Sequence, residues 1–425
     1  MPKLNLQRQD LTHPSFNDET HHEIEQRLTP SHEPLRTNQS KNPYLSPKQV
    51  EKRWKVLELE SAKQELFDEK TEQDMLAYQK NIENFIGTAK LPVGLVGPLR
   101  VNGLFAQDDF YLPLATTEAA LIASYNRGAQ LISESGGVSA MLLSEAVLRT
   151  PGFCFENLAQ AGQFVAWVTS QYDTFKAIAQ QTTRHGRLVD ISVNIEANNV
   201  YLIFEFTTGD ASGQNMVTIA TNAVYNHILE YSPITPTYAY VEANLSGDKK
   251  ATAQSLRNVR GKKVSAEVII PKELVKKRLH TDVDTMVNYC KLSATGGILS
   301  GSIGVHGHYA NGLAALYIAC GQDAACVAES AVGITRLEKN SDGDLHASVT
   351  LPNIMVGTVG GGTGLPSQKA CLDIVGLAGS GNAKAFAEVT AGLCLAGELS
   401  IIGALSANHF TSAHHKLARV TNKNN

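Results

Sequence analysis

Paired cysteines, long apolar runs and an excess of positive charge are all missing from this 425-residue chain. Its six cysteines, Cys154, Cys290, Cys320, Cys326, Cys371 and Cys394, form no C-x-x-C pair and no zinc-ligand spacing. That argues against a disulfide framework and for buried reduced thiols, several of them in apolar text such as Ile318-Ala319-Cys320. No apolar run reaches the ~20 residues of a membrane span, and residues 1–14 lack a signal peptide's hydrophobic stretch. The chain is therefore expected to be cytoplasmic, with no membrane partner. A net charge of −4 gives no basic face for a nucleic acid. No spacing resembles H-E-x-x-H, so no metal is expected. No glycine loop matches G-x-G-x-x-G followed by an acid about 20 residues on, which leaves a Rossmann domain unsupported.

What is present has the balance of a globular chain, 43% hydrophobic against 18% charged. The length allows more than one core. Residues 1–45 are polar and interrupted by Pro14, Pro30, Pro34 and Pro43, which reads as a flexible extension. Ser46-Pro47 then marks a helix start, with Ser as cap and Pro in the first turn. A helical N-terminal domain over 46–82 follows, its helix running from Lys48 to about Gln79 and burying Trp54, Leu57, Leu59 and Leu66. From Asn84 short β-like runs alternate with glycines, and a helix is expected from Thr117 to about Ile132. Between 151 and 240 the text suits a small inserted α/β module. It has a helical stretch (Gln163–Gln181), two alternating strands (Leu188–Ile195 and Val200–Phe206) and a helix opening near Ser212. Gly/Ala-rich helical text resumes at 252, so residues 83–150 and 241–410 are expected to form one discontinuous large domain. Residues 411–425 are left as a mobile tail.

Two carboxylates stand out because their surroundings are apolar. Glu118 lies between Leu112 and Ala123, where Ala115, Ala119, Leu121 and Ile122 would desolvate it and raise its pKa. Asp323 lies in a stretch from Leu313 to Ala328 that reads as a helix buried nearly all round. Carboxylates are rarely buried unless paired or functional; the alternative for each is a helix cap or a narrow solvated edge. Two acids invite a cation, and Gly247-Asp248-Lys249-Lys250 offers one. A desolvated Lys249 can polarise a carbonyl and stabilise the oxyanion that forms as hydride arrives. The alternative is a solvated charged turn. Gly209-Asp-Ala-Ser-Gly-Gln-Asn-Met216 follows a strand and opens a helix, which places backbone N–H groups where a pyrophosphate can sit. Thr358–Pro366 is a looser glycine loop, and tight packing is the alternative for both. His409, His414 and His415 are either polar surface or, with a pKa near ~6.5, mobile proton donors.

In order along the chain, ENFIG, LPVGLVGPL, LATTEAALIASYNRG, GDASGQNM, GDKK, YIACGQDAA, GTVGGGTGLP and AGELS resemble the 3-hydroxy-3-methylglutaryl-coenzyme A (HMG-CoA) reductase family. The likeness runs from about Glu83 to Arg419, to the catalytic portion in a soluble form without membrane anchor. It implies an α+β fold, in which a large, mostly helical domain surrounds a long central helix and a small ferredoxin-like NADP-binding domain is inserted. It also implies a homodimer or higher homo-oligomer with a shared active site. The implied reaction is the four-electron reduction of HMG-CoA to mevalonate and free coenzyme A with NADPH, through a hemithioacetal and mevaldehyde, in isoprenoid biosynthesis. By motif position Glu118 would protonate the carbonyl oxygen, Lys249 would stabilise the oxyanion and Asp323 would tune both. His414 would protonate the departing thiolate. Arg149 and Lys250 would hold the substrate's free carboxylate, with Asn311 and Asp248 in support. Thr183 and Arg184 fall where the family meets the 2′-phosphate of NADP, and Asp210, Ser212, Gly213, Gln214 and Asn215 where it cradles the cofactor.

Some positions depart from the family pattern. Glu242-Ala243-Asn244 replaces Ser-Gly-Asn ahead of the lysine pair and sets a carboxylate near the substrate's own. Ala413 rather than Ser precedes His414, and Val420 stands where animal enzymes carry a regulatory Ser. Two other readings are weighed. One is the same chemistry run oxidatively with NAD for mevalonate breakdown, against which Arg184 argues because a guanidinium beside the ribose suits a 2′-phosphate. The other is a catalytically inactive binding relative, against which the retention of all four chemical residues argues.

Overall fold

The computed structural model describes residues 42–407 and a few positions between 25 and 34. These fall into two compact units, one made of the residues up to 72 with 82–87, the other of 73–81 and the residues from 88 onward. In the first, Ser46 caps α1 (Pro47–Leu57) by accepting from the Gln49 N–H, with Pro47 in the first turn. The single helix expected to reach Gln79 is broken. Glu58 adopts a left-handed conformation, α2 (Glu60–Leu66) restarts beyond it, and shorter turns follow. Leu57 and Leu59 are consequently exposed, and the buried face of α1 is Val50, Arg53 and Trp54. Arg53 donates to the carbonyls of Asn42, Tyr44 and Phe85, and the Trp54 indole to that of Ile86. The ENFIG motif thus serves as a strip of backbone acceptors inside this unit.

Among its described residues the second unit carries ten strands: β1 (Val93–Gly103), β2 (Gln107–Ala115), β3 (Val138–Arg149), β4 (Gly152–Cys154), β5 (Arg187–Glu196), β6 (Asn199–Thr207), β7 (Tyr238–Tyr240), β8 (Gly261–Ile270), β9 (Ile334–Lys339) and β10 (Leu345–Ile354). Its longer helices are α3 (Leu121–Glu134), α4 (Leu158–Ser170), α5 (Tyr172–Thr182), α6 (Gln214–Tyr231), α7 (Lys272–Leu279), α8 (Val283–Ser300), α9 (Tyr309–Ala319), α10 (Pro366–Val375) and α11 (Ala383–Ser406). β1 and β2 form an antiparallel hairpin, and β1 runs parallel to β3 at Val101–Gly103. β8, β10 and β9 follow β3 in antiparallel order.

Helix α11 packs on this sheet, touching β1, β3, β8 and β10. It has the length and apolarity of a membrane span, but 20 of its 24 residues are buried, which makes it the core helix of the unit. α3 crosses it closely because position 128 is glycine; a Cβ there would collide with the Ala396 carbonyl. Two carboxylates of α11 are wholly buried. Glu388 accepts from the N–H groups of Phe105, Ala106 and Leu142, and Glu398 from those of Gly307 and His308 and from the Thr335 hydroxyl. Three donors apiece offset the cost of burying the charge. The expectation of a mostly helical large domain is corrected here, since six strands carry it. The text after residue 252 that reads as helix includes β8, β9 and β10; β8 and β10 lie against α11, and β9 against α8.

β3 also leaves this sheet. Its last residues, Val147–Arg149, pair with β6, and the strands beyond run in the order β5–β6–β4–β7, antiparallel throughout. With α4, α5 and α6 the chain order is strand, helices, two strands, helix, strand. The strands expected at Leu188–Ile195 and Val200–Phe206 fall inside β5 and β6. The expected helix Gln163–Gln181 is two helices, broken at Gln171.

Candidate active site

The Asp323 turn departs from its sequence reading. α9 stops at Ala319, so Asp323 is not on a buried helix. It caps the short turn Ala324–Cys326 by accepting from the Ala325 N–H at 3.0 Å, and its side chain is 39% exposed. The cap alternative is the one realised. Its other oxygen lies 2.9 Å from Lys249 Nζ. The Asp323 hydrogen bond raises the Lys249 pKa, so the ammonium is the favoured form.

Lys249 sits at φ 56°, in a left-handed conformation that its neighbour Asp248 anchors. Asp248 accepts from Arg260 Nη2 at 2.7 Å and from Arg149 Nη1 at 3.1 Å. Glu242 does not stand free to repel a substrate. Its Oε2 takes the same Arg149 Nη1 at 3.2 Å, and its Oε1 accepts from the Asn244 N–H and the Ser246 hydroxyl. Arg149, expected to hold a substrate carboxylate, is buried with that nitrogen shared by two carboxylates of its own chain. Lys250 folds back on the Asp248 carbonyl at 2.9 Å.

Ser212, Gly213, Gln214 and Asn215 line the same cleft of about 760 Å³ as Lys249 and Asp323. β6 leads into this loop and α6 leaves it, as the strand–loop–helix reading expects. Gly213 is the left-handed N-cap of α6 (φ 78°) and has no side chain to cap the helix, so the first N–H groups of α6 are open to a ligand. The loop is held from two sides. Gln214 Nε2 donates to the Cys326 thiol at 2.7 Å, and Gly357 packs so closely that a Cβ would come within 2.5 Å of the Ser212 nitrogen. Asp210 is bonded within its own chain. Its carboxylate accepts from the N–H groups of Gly381 and Ala383 at the start of α11, and its carbonyl from that of Thr358. Thr183 donates to Met216 Sδ at 2.8 Å, which places the exposed Arg184 beside the first turn of α6.

Glu118 is elsewhere. The expected helix from Thr117 begins at Leu121, and Glu118 is an exposed residue of the preceding turn. Its own chain does not supply the desolvation expected of it. It lines a separate cavity of about 390 Å³ with Ser124, Arg127, Tyr289, His308 and Asn311. Glu398 fixes that wall through Gly307 and His308. His308 Nε2 faces the Gly397 carbonyl at 2.9 Å, so Nε2 carries the proton and Nδ1 accepts from Asn311 at 3.3 Å. His414 lies outside the described residues. Sequence reasoning missed Arg260, Glu329, Glu398 and His308. The signal used for Glu118, a carboxylate in apolar text, applies equally to Glu329 and Glu398, and these are the ones that are buried.

The family of hydroxymethylglutaryl-coenzyme A reductase matches residues 49–419. The enzyme named 3-hydroxy-3-methylglutaryl-coenzyme A reductase from Pyrococcus horikoshii is 44% identical over 80% of this chain and 84% of its own. That of Methanocaldococcus jannaschii is 42% identical over 81% and 86%. Among solved structures, a class II 3-hydroxy-3-methylglutaryl-CoA reductase from Streptococcus pneumoniae, bound to NADPH in open conformations, superposes with a TM-score of 0.64. At 19% identity, over 85% of this chain and all of the other, it supports the fold. A match over most of the chain means that the chain belongs to the hydroxymethylglutaryl-coenzyme A reductase family.

Proposed function

We propose that this chain reduces HMG-CoA to mevalonate and free coenzyme A with NADPH, in the mevalonate route to isoprenoids. The observation that carries the reading is the sharing of one cleft by the Ser212–Asn215 loop and the Lys249–Asp323 pair. The residues present fit a dinucleotide. Open N–H groups at the start of α6 suit a pyrophosphate, and Arg184 beside that turn suits a 2′-phosphate. Gly360 and Gly361 in the facing wall leave room that a Cβ would take up. NADPH, when bound, supplies hydride. Lys249, kept protonated by Asp323, stabilises the negative charge that gathers on the substrate carbonyl oxygen. Glu118 delivers the proton to that oxygen, and His414 delivers one to the coenzyme A thiolate.

Glu118 does not line the Lys249 cleft, so a site that uses both residues is incomplete in one copy. We infer a homodimer or larger homo-oligomer in which a second copy brings its Glu118 cavity to this cleft and desolvates Glu118 there. An apolar surface suits that role. Leu292, Ile298 and Leu299 of α8 are 75%, 73% and 83% exposed, on the helix whose Tyr289 lies in the wall of the Glu118 cavity. Following the NADPH absorbance band with HMG-CoA added tests the reaction. Two NADPH consumed per coenzyme A released is expected, because thioester to alcohol takes four electrons. A ratio of one would mean that the reaction stops at the aldehyde, against this reading.

A further inference from the structure

We propose that Arg260 and Glu329 are positioning residues for Lys249, an inference that rests on Lys249 being the oxyanion-stabilising cation. Lys249 does not hold its conformation unaided, because φ 56° is disfavoured for any residue with a Cβ. The carboxylate of Asp248 pins the turn, and Arg260 is its closer partner, at 2.7 Å against 3.1 Å for Arg149. The other terminal nitrogen of Arg260, Nη1, donates to Glu329 Oε2. Glu329 belongs to the short helix Val327–Ser330, which directly follows the turn that Asp323 caps. One guanidinium therefore grips both segments whose tips carry Lys249 and Asp323. Arg260 acts through Asp248, and Glu329 acts through Arg260.

Stability alone does not account for the pair. Arg260 is 2% exposed and Glu329 wholly buried, and desolvating both ions offsets most of their attraction. Apolar residues of similar volume are often at least as stable in such places. Burial also pushes the Glu329 carboxyl above its usual range, although the Arg260 charge pulls the other way. Arg260 Nε is buried with no partner among the described residues. What ions give and apolar side chains do not is direction. The planar fork of an arginine fixes two carboxylates at a set angle, which a lysine cannot reproduce.

The test is Arg260→Met/Glu329→Met, with Arg260→Lys as a second variant, each assayed by NADPH oxidation with HMG-CoA across pH and by thermal melting. The double variant should melt close to the parent. Its kcat should fall about 100-fold, the scale of a misplaced catalytic group, while the KM for NADPH stays within about twofold. Its Lys249 ammonium, followed by NMR of labelled Nζ, should titrate at lower pH than in the parent, because Lys249 is no longer held against Asp323. Arg260→Lys should show the same displacement with a smaller loss of kcat, and it carries the test if the double variant does not fold. A folded variant whose Lys249 titrates as in the parent overturns the proposal, whatever its kcat. Parent enzyme that consumes no NADPH with HMG-CoA overturns the functional reading instead.

Discussion

Lys249 Nζ stands 2.9 Å from Asp323 Oδ2 with both side chains more than a third exposed, so the pair matters for protonation more than for stability. Asp323 raises the Lys249 pKa, which means that the ammonium is retained to higher pH than in a free lysine. Asp323→Asn removes that hydrogen bond. Lys249 then loses its proton at lower pH, which an NMR titration of its labelled Nζ measures. The stabilisation from the pair is fully present at neutral pH and fades as pH rises through the raised lysine pKa. For so exposed a pair it is about 0–1 kcal/mol, so the melting temperature at pH 7 should hardly change. A Lys249 titration that stays put or moves up would remove Asp323 from control of Lys249.

Arg184 is exposed and set beside the first turn of α6 by the Thr183–Met216 contact. Arg184→Ala should lose affinity for NADPH and spare NADH, by about 1.5–3 kcal/mol if the guanidinium meets the 2′-phosphate. Titrating both dinucleotides by fluorescence measures the difference. Equal losses would mean that Arg184 does not read the phosphate.

The parts that were legible in the sequence and the parts that were not divide along physical lines. The loop 209–216 could be read because strand, glycine and helix follow one another locally, and each leaves its own mark. The Asp248-Lys249-Lys250 turn was legible for the same reason. Glu118 and Asp323 were misplaced because apolar neighbours in sequence do not make a buried side chain. Each sits in a turn where the chain leaves the core and takes its small apolar neighbours, Ala119 or Ala324 and Ala325, out with it. Glu398 and Glu329 are buried, but their donors come from residues far along the chain or from a tertiary neighbour, and no local pattern carries that. The strands β8–β10 were missed for a different reason. Reading all the text after 252 as helix passes over a period of two that is present, as in the buried Val264, Ala266, Val268 and Ile270 of β8.

Asp210 was expected to meet the cofactor, yet its carboxylate holds Gly381 and Ala383 at the start of α11. Asp210→Ala should therefore destabilise the fold by about 0.5–2 kcal/mol, the range for losing a helix cap. The NADPH KM should rise with it, since residue 210 leads into the Ser212–Asn215 loop and loses its side-chain anchor at the start of α11. Urea unfolding alongside kinetics checks both. Loss of cofactor affinity with an unchanged midpoint would restore the direct cofactor role.

The division of the site between copies makes a sharper prediction about mixed oligomers. Lys249, Asp323 and the Ser212–Asn215 loop line one cleft of one chain, whereas Glu118 lines another cavity of that chain. If one copy's cleft meets its partner's Glu118, a Lys249→Ala chain paired with a Glu118→Gln chain rebuilds one complete site per dimer. The Glu118→Gln chain supplies the intact cleft, and the Lys249→Ala chain supplies the intact acid. Activity should return to roughly half the parental value per dimer. Lys249→Ala paired with a loop variant such as Gly213→Val should stay inactive, because each cleft then carries one of the two defects. The second mixture matters because it separates this arrangement from one in which the cofactor loop is the part exchanged between copies. Tagged co-expression and tandem purification isolate the heterodimers, and NADPH oxidation by each pool decides. Revival of the loop mixture, or no revival of the Glu118 mixture in verified heterodimers, would mean that the catalytic parts are shared in some other way.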